Sequence, residues 1–205
     1  MFITLEGIEG SGKTTLIENL ADVFRTLNHE VLVTREPGGC ALGRELRQML
    51  LNPETEICPE AELFLFLADR AQHVAEASRP ALKRGEVVLC DRFFDSTTAY
   101  QGGARGMESQ VIDSLNELAA AECIPDLTIL LDLPPEVGFA RAREREETRG
   151  EHDRFEEEKL DFHRRVRAGF LKIAEAESER VRVVNADAPA EQIHRRILEI
   201  VDAAL

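Results

Sequence analysis

The amino-acid sequence predicts an α/β protein in which five short parallel strands form one sheet with helices on both faces. Three observations carry this prediction. Five β-branched or leucine-rich runs, at 2–6, 31–34, 87–91, 127–133 and 181–185, alternate with segments of helical periodicity. Most of these runs are continuously apolar, as strands covered on both faces must be. The first run leads directly into a glycine-rich turn and then a helix, which is the anion-binding junction of such sheets. Right-handed crossovers would align the carboxyl ends of the strands along one edge, where ligands bind.

Phe2-Ile3-Thr4-Leu5 reads as a buried strand. The residues after it, Gly7-Ile8-Glu9-Gly10-Ser11-Gly12-Lys13-Thr14, match the phosphate-loop pattern G-x-x-x-x-G-K-[ST]. Successive backbone N–H groups and the positive helix end would face a phosphate, Lys13 would reach the β- and γ-phosphates, and the Thr14 hydroxyl would ligand Mg²⁺. From Thr15 onward, Leu16, Leu20, Val23, Phe24 and Leu27 recur at helical spacing. Further helices are expected at 41–51, 60–84, 108–121, 135–146, 155–177 and 190–204, the last following Pro189, which suits a helix start.

The strand ends carry the chemistry. Asp91-Arg92 closes the third strand, where an acid can hold Mg²⁺ or its water shell and an arginine can clamp a phosphate. A structural Asp–Arg ion pair would explain the same two residues. Arg35-Glu36-Pro37-Gly38-Gly39 follows the second strand and forms either a substrate wall or an ordinary β–α loop. Phe66 and Arg70, four apart on one helix face, could stack on a base and donate to it, or form an amphipathic edge, the reading that spacing alone favours. Asp95-Ser96-Thr97-Thr98-Ala99-Tyr100-Gln101 offers polar groups suited to a base edge, or equally a capped helix start followed by a loop. Arginines 141, 143, 145, 149 and 154 recur among acids in a charged segment that reads as a salt-bridged surface or a mobile lid.

Composition excludes several classes. The net charge of −14 argues against a nucleic-acid partner, which needs a basic face. No apolar run approaches the roughly 18 residues needed to span a bilayer, and no leader pattern precedes the first strand. A cytoplasmic location without membrane association is therefore expected. Cys40, Cys58, Cys90 and Cys123 lack C-x-x-C spacing, so reduced thiols are expected rather than a zinc site or disulfides. The N-K-x-D and D-x-x-G motifs of a regulatory GTPase are absent.

Taken in order, the segments closely resemble the bacterial thymidylate kinase family, the dTMP kinase branch of the nucleoside monophosphate kinases. The resemblance rests on Glu6-Gly7 to Thr15, Thr34-Arg35-Glu36-Pro37-Gly38-Gly39, Phe66 to Arg70, Asp91-Arg92-Phe93, Ser96-Thr97 with Tyr100-Gln101-Gly102, Pro125-Asp126-Leu127-Thr128, and Asp153-Arg154-Phe155. It spans essentially the whole chain. It implies a three-layer P-loop kinase fold in a single domain, 1–205, with a short helical lid at about 141–155. It implies ATP-dependent conversion of dTMP to dTDP, serving dTTP synthesis, with ATP and Mg²⁺ as cofactors and a homodimer as the assembly.

The residue roles it implies are these. ATP would contact Gly7, Ile8, Glu9, Gly10, Ser11, Gly12, Lys13, Thr14, Thr15 and Arg141, and Mg²⁺ would be held by Thr14 and Asp91. Phe66 would stack on thymine and Arg70 would donate to its O4, with Ser96, Thr97 and Gln101 along the base edge. Tyr100 would lie against the deoxyribose, and Pro37 would form part of the substrate wall. Arg92, helped by Arg35 or Arg47, would hold the 5′-phosphate, and Glu9 would face the sugar side. Lys13, Arg92, Glu9 and the lid residue Arg149 would form the catalytic set.

Overall fold

The structure is a computed structural model that describes residues 1–149 and 154–204, with the backbone alone over 145–149. Five strands, β1 (Phe2–Glu6), β2 (Val31–Arg35), β3 (Val87–Asp91), β4 (Leu127–Asp132) and β5 (Val181–Asn185), form one sheet in the order β2-β3-β1-β4-β5. All four pairings are parallel, with Ile3 opposite Leu89 and Leu127, and Arg35 opposite Asp91. The three central strands are buried almost throughout, as continuous apolar runs require. The edge strands β2 and β5 keep partial exposure, and Val183 is 45% exposed.

Alternate residues of β1 serve opposite faces of the sheet. Ile3 and Leu5 join Leu16, Leu20 and Phe24 of α1 (Lys13–Thr26), while Phe2 joins Val74, Val88, Cys90 and Phe93. Helix α1 stops at Thr26, so Leu27 caps the helix and stands 56% exposed, outside the apolar face that its spacing suggested.

Helix α2 (Ala41–Leu51) and helix α3 (Pro59–His73) follow. The single helix expected over 60–84 is divided: α3 passes into a π turn at Val74–Ser78 and then into α4 (Arg79–Lys83). Pro80 accounts for the break, since it lacks the N–H that an α-helical ladder would need from it. The segment after β3 is helical further than a cap and loop, with α5 (Phe94–Thr97) continuing as a π turn through Ala104. Helix α6 (Ser109–Ala120) precedes β4.

Helix α7 (Pro135–Arg149) absorbs the first part of the expected lid, and α8 (Leu160–Ala176) starts five residues later than its periodicity suggested because turns occupy 154–157. Helix α9 (Ala190–Asp202) closes the chain. All four cysteines are free thiols, and among the described residues no helix is long and apolar enough to cross a membrane.

Candidate active site

The carboxyl ends of β1, β2 and β3 open into a cleft of about 960 Å³. Its walls include Glu9, Lys13 and Thr14 from the loop after β1, Arg35 to Pro37 at the end of β2, Phe66 and Arg70 of α3, and Asp91, Arg92, Phe93 and Tyr100 from the end of β3 onward. Arg47, Thr15, Ser96, Thr97, Gln101 and Arg141 also line it. Gly7, Ile8 and Ser11 do not line it. The side chain of Arg149 lies outside the described residues.

The loop at 7–12 enters α1 through Gly12, whose φ of 94° is left-handed and readily adopted only without a Cβ. Lys13 folds back over the loop, with Nζ donating to Gly7 O and Ile8 O at 3.0 Å each and to Ser11 Oγ at 3.3 Å. Burial, then the nearby Arg92 charge, pull the Lys13 ammonium down to about 8, although Asp91, Glu9 and Glu6 pull the other way. Helix α7 presses on the same loop: a Cβ on Gly138 would stand 2.6 Å from Glu9 O, so only glycine allows this approach. Nothing in the phosphate-loop motif signals Gly138. Arg141, one turn on, donates to Ala186 O at 3.2 Å and reaches Gly10 O at 3.5 Å.

The Thr14 hydroxyl donates to Asp91 Oδ2 at 3.1 Å. A hydroxyl and one carboxylate are hard oxygen donors of the kind Mg²⁺ takes, with water and substrate phosphates completing its shell. These two residues therefore fit the ion. Among the described residues no cluster of three acidic, histidine or cysteine side chains could hold a metal without such help.

Arg92 is the centre of the site. Its φ of 71° is left-handed, unusual for a side-chain-bearing residue and characteristic of strain kept at functional positions. The guanidinium donates to Ser96 Oγ (3.0 Å), Glu9 Oε1 (2.9 Å) and Tyr100 Oη (3.2 Å). Tyr100 in turn donates to Glu9 Oε1 at 2.6 Å. Burial pushes the Glu9 carboxyl up, but Arg92, His163 and Lys13 together outweigh it and hold Glu9 well below the usual carboxylate range. The Ser96 hydroxyl gives its proton to Glu6 Oε2 at 2.6 Å and accepts from Arg92, so it braces that arginine while lining the cleft.

Sequence reasoning gave Glu6 no role. It is fully buried and accepts from the Phe93 N–H at 2.7 Å as well as from Ser96, so it holds the turn on which Arg92 sits. Burial, then Asp95, raise its carboxyl from the usual 4.5 to about 7. A folded pKa above the unfolded value means that Glu6 contributes fully to stability below about 4.5 and that this contribution is lost as pH rises through 7. Glu6→Gln is accordingly expected to gain on the wild type by on the order of 2–3 kcal/mol between pH 5 and pH 8. Thermal unfolding of both proteins across that range checks it, and parallel curves would contradict it.

The other end of the cleft is built around Arg70, which is 2% exposed. Three of its five N–H groups go to Glu36 Oε2 (2.8 Å), Asn116 Oδ1 (2.8 Å) and Thr97 Oγ1 (3.0 Å). The plane lies 5.2 Å over the ring of Phe93, which is itself buried against Phe2. Glu36 also holds His73 Nδ1 at 2.8 Å, so a buried chain fixes the arginine. Thr97 is thus tied to Arg70, while Gln101 donates to Glu62 at 2.8 Å. Pro37, after a cis peptide bond, accepts from Arg47 at 2.9 Å, and Asp69 holds the Gly38 N–H at 3.0 Å.

Phe66 and Phe155 both line the cleft, their rings tilted against each other with centroids 6.0 Å apart. Phe155 was legible only as part of the Asp153-Arg154-Phe155 resemblance. Arg154 is anchored away from the phosphate loop, donating to Leu50 O at 3.0 Å and to Glu62 at 2.7 Å.

Comparison with known proteins agrees with this geometry. The family model described as thymidylate kinase matches residues 5–197. The thymidylate kinase of Syntrophotalea carbinolica is 52% identical over 199 residues, covering 96% of this chain and 92% of that one. That of Nitratidesulfovibrio vulgaris is 53% identical over 209 residues, covering 100% and 93%. Among solved structures, thymidylate kinase from Ehrlichia chaffeensis superposes with a TM-score of 0.79 at 33% identity, covering 98% of each chain.

Proposed function

The chain belongs to the thymidylate kinase family, and we propose from that premise and from the cleft how it transfers a phosphoryl group from ATP to dTMP, giving dTDP. One observation carries the reading: a single cleft joins a phosphate loop, a central arginine and a base-sized end walled by Phe66, Phe155 and a fixed guanidinium.

ATP lies along the loop at 7–14, with Lys13 and Arg141 beside it. The 5′-phosphate of dTMP meets Arg92, with Arg35 and Arg47 nearby, and the base lies between Phe66 and Arg70. The N–H groups that Arg70 does not give to Glu36, Asn116 and Thr97 support donation to a pyrimidine O4. The dTMP phosphate is already a nucleophile at neutral pH, so the protein needs to supply alignment and charge neutralisation rather than a general base. Mg²⁺, held by Thr14 and Asp91, would neutralise charge on the donor phosphates.

A homodimer belongs to the same proposal. Phe64 on α3, with Val111 and Leu118 seven apart on α6, leave apolar side chains 59%, 47% and 75% exposed on adjacent helices. A cytoplasmic location, where the nucleotide substrates are supplied, completes it.

A coupled assay with dTMP, dUMP, UMP, CMP and AMP tests the assignment. dTMP is expected to lead dUMP by about 10–200-fold in kcat/KM, the worth of one well-packed methyl, and UMP, CMP and AMP are expected to be poorer still. A preference for UMP or CMP would overturn it.

A further inference from the structure

His163, on the helix that follows the lid segment, has no role in the reading above. It is 2% exposed, and its ring is clamped edge-on by Phe139 at 4.8 Å and Phe162 at 5.5 Å. Nε2 stands 2.9 Å from the carbonyl oxygen of Phe155, and Nδ1 stands 3.2 Å from Glu9 Oε2. Both ring nitrogens thus face oxygen atoms, one of the backbone and one of a carboxylate.

The contact with Glu9 is an ion pair in distance, but its direction falls outside hydrogen-bond geometry, and Oε2 has no hydrogen bond of its own among the described residues. A buried carboxylate oxygen in that position depends on the polar ring beside it. The other oxygen, Oε1, receives both Arg92 and Tyr100. The direction in which the carboxylate points therefore sets where Arg92 lies.

We propose that His163 is a positioning residue: it orients the Glu9 carboxylate toward Arg92 and Tyr100, and fixes it to the backbone of Phe155 at the end of the lid. The role rests on the dTMP kinase reading and assigns His163 no contact with substrate. It joins positions 154 residues apart in the chain, the phosphate loop and the helix behind the lid.

Two isosteric substitutions separate its two ends. In His163→Asn the side-chain amide occupies the Nδ1 position and keeps a polar group beside Glu9, whereas in His163→Gln it occupies the Nε2 position and keeps only Phe155. His163→Gln is expected to raise KM for dTMP by about tenfold, with KM for ATP within about twofold. His163→Asn is expected to restore most of that loss, and His163→Gln should add little when placed on Glu9→Gln. The proposal is overturned if His163→Gln behaves as wild type, if His163→Asn is no better than His163→Gln, or if the losses with Glu9→Gln simply multiply.

Should His163→Gln fail to fold, the ¹⁵N ring signals of His163 in the wild type decide the matter. Ring signals that move on Glu9→Gln are expected, and a ring indifferent to Glu9 overturns the proposal. Wild-type turnover of dTMP, measured first, shows separately whether the underlying reading stands.

Discussion

Replacing Arg92 with alanine is expected to lower kcat with dTMP by about 10²–10³-fold, the usual effect of deleting a preorganised donor to a transferring group. It should also destabilise the free protein. Arg92 is the close cation for Glu9, and Glu6 lies beside it, so its removal strands a buried carboxylate. Breaking one side of a buried pair costs about 3–5 kcal/mol, and alanine inherits the left-handed backbone at this position without relief. Arg92→Lys should rescue little. One ammonium cannot reproduce a planar fork that reaches Ser96, Glu9 and Tyr100 together. Steady-state kinetics with dTMP and thermal unfolding check both parts. A variant that keeps turnover but unfolds easily would leave Arg92 a structural ion-pair partner only.

Arg92 also shows how much was legible in the sequence and why the rest was not. The three central strands were legible because burial on both faces makes their runs almost wholly apolar, the interior threonines Thr4 and Thr128 bonding each other at 2.7 Å. The phosphate loop was legible because its glycines, lysine and threonine are contiguous. The strand-end positions of Asp91 and Arg92 followed from the topology of a parallel sheet.

What the sequence did not show is what each polar group is bonded to. Ser96 reads as a base-edge hydroxyl until the structure puts it between Glu6 and Arg92. Arg70 reads as an amphipathic edge until Glu36, 34 residues away, is found holding it. Glu6 reads as the last residue of a strand, and His163 as one polar residue on a helix. Each is defined by a partner distant in sequence, and neither periodicity nor local spacing encodes such pairs. The lid differs for another reason: its charged composition suits an extended helix and a closing segment equally well, and α7 takes up part of it through Arg149.

Lys13→Ala is the second large effect, and it reports on the same cluster from the donor side. Loss of the ammonium is expected to cut kcat by about 10²–10³-fold, since on the proposed reading it removes a charge that would meet the β- and γ-phosphates. KM for dTMP should move far less, because the proposed role of Lys13 is toward the donor and not the acceptor. Near-normal turnover in the variant would show that the lysine has another task.

The lowered pKa adds a signature that a merely structural lysine would not give. With its pKa at about 8, Lys13 in the free enzyme is about half deprotonated at pH 8. Phosphates arriving beside it favour the charged form and draw the proton back. ATP binding at pH 8 should therefore take up about half a proton, read from calorimetry in two buffers of different ionisation enthalpy. The uptake should fade toward pH 6, where Lys13 is already protonated, and vanish in Lys13→Ala. An uptake unchanged by the substitution would mean that another group titrates against the nucleotide, and that Lys13 does not meet its phosphates.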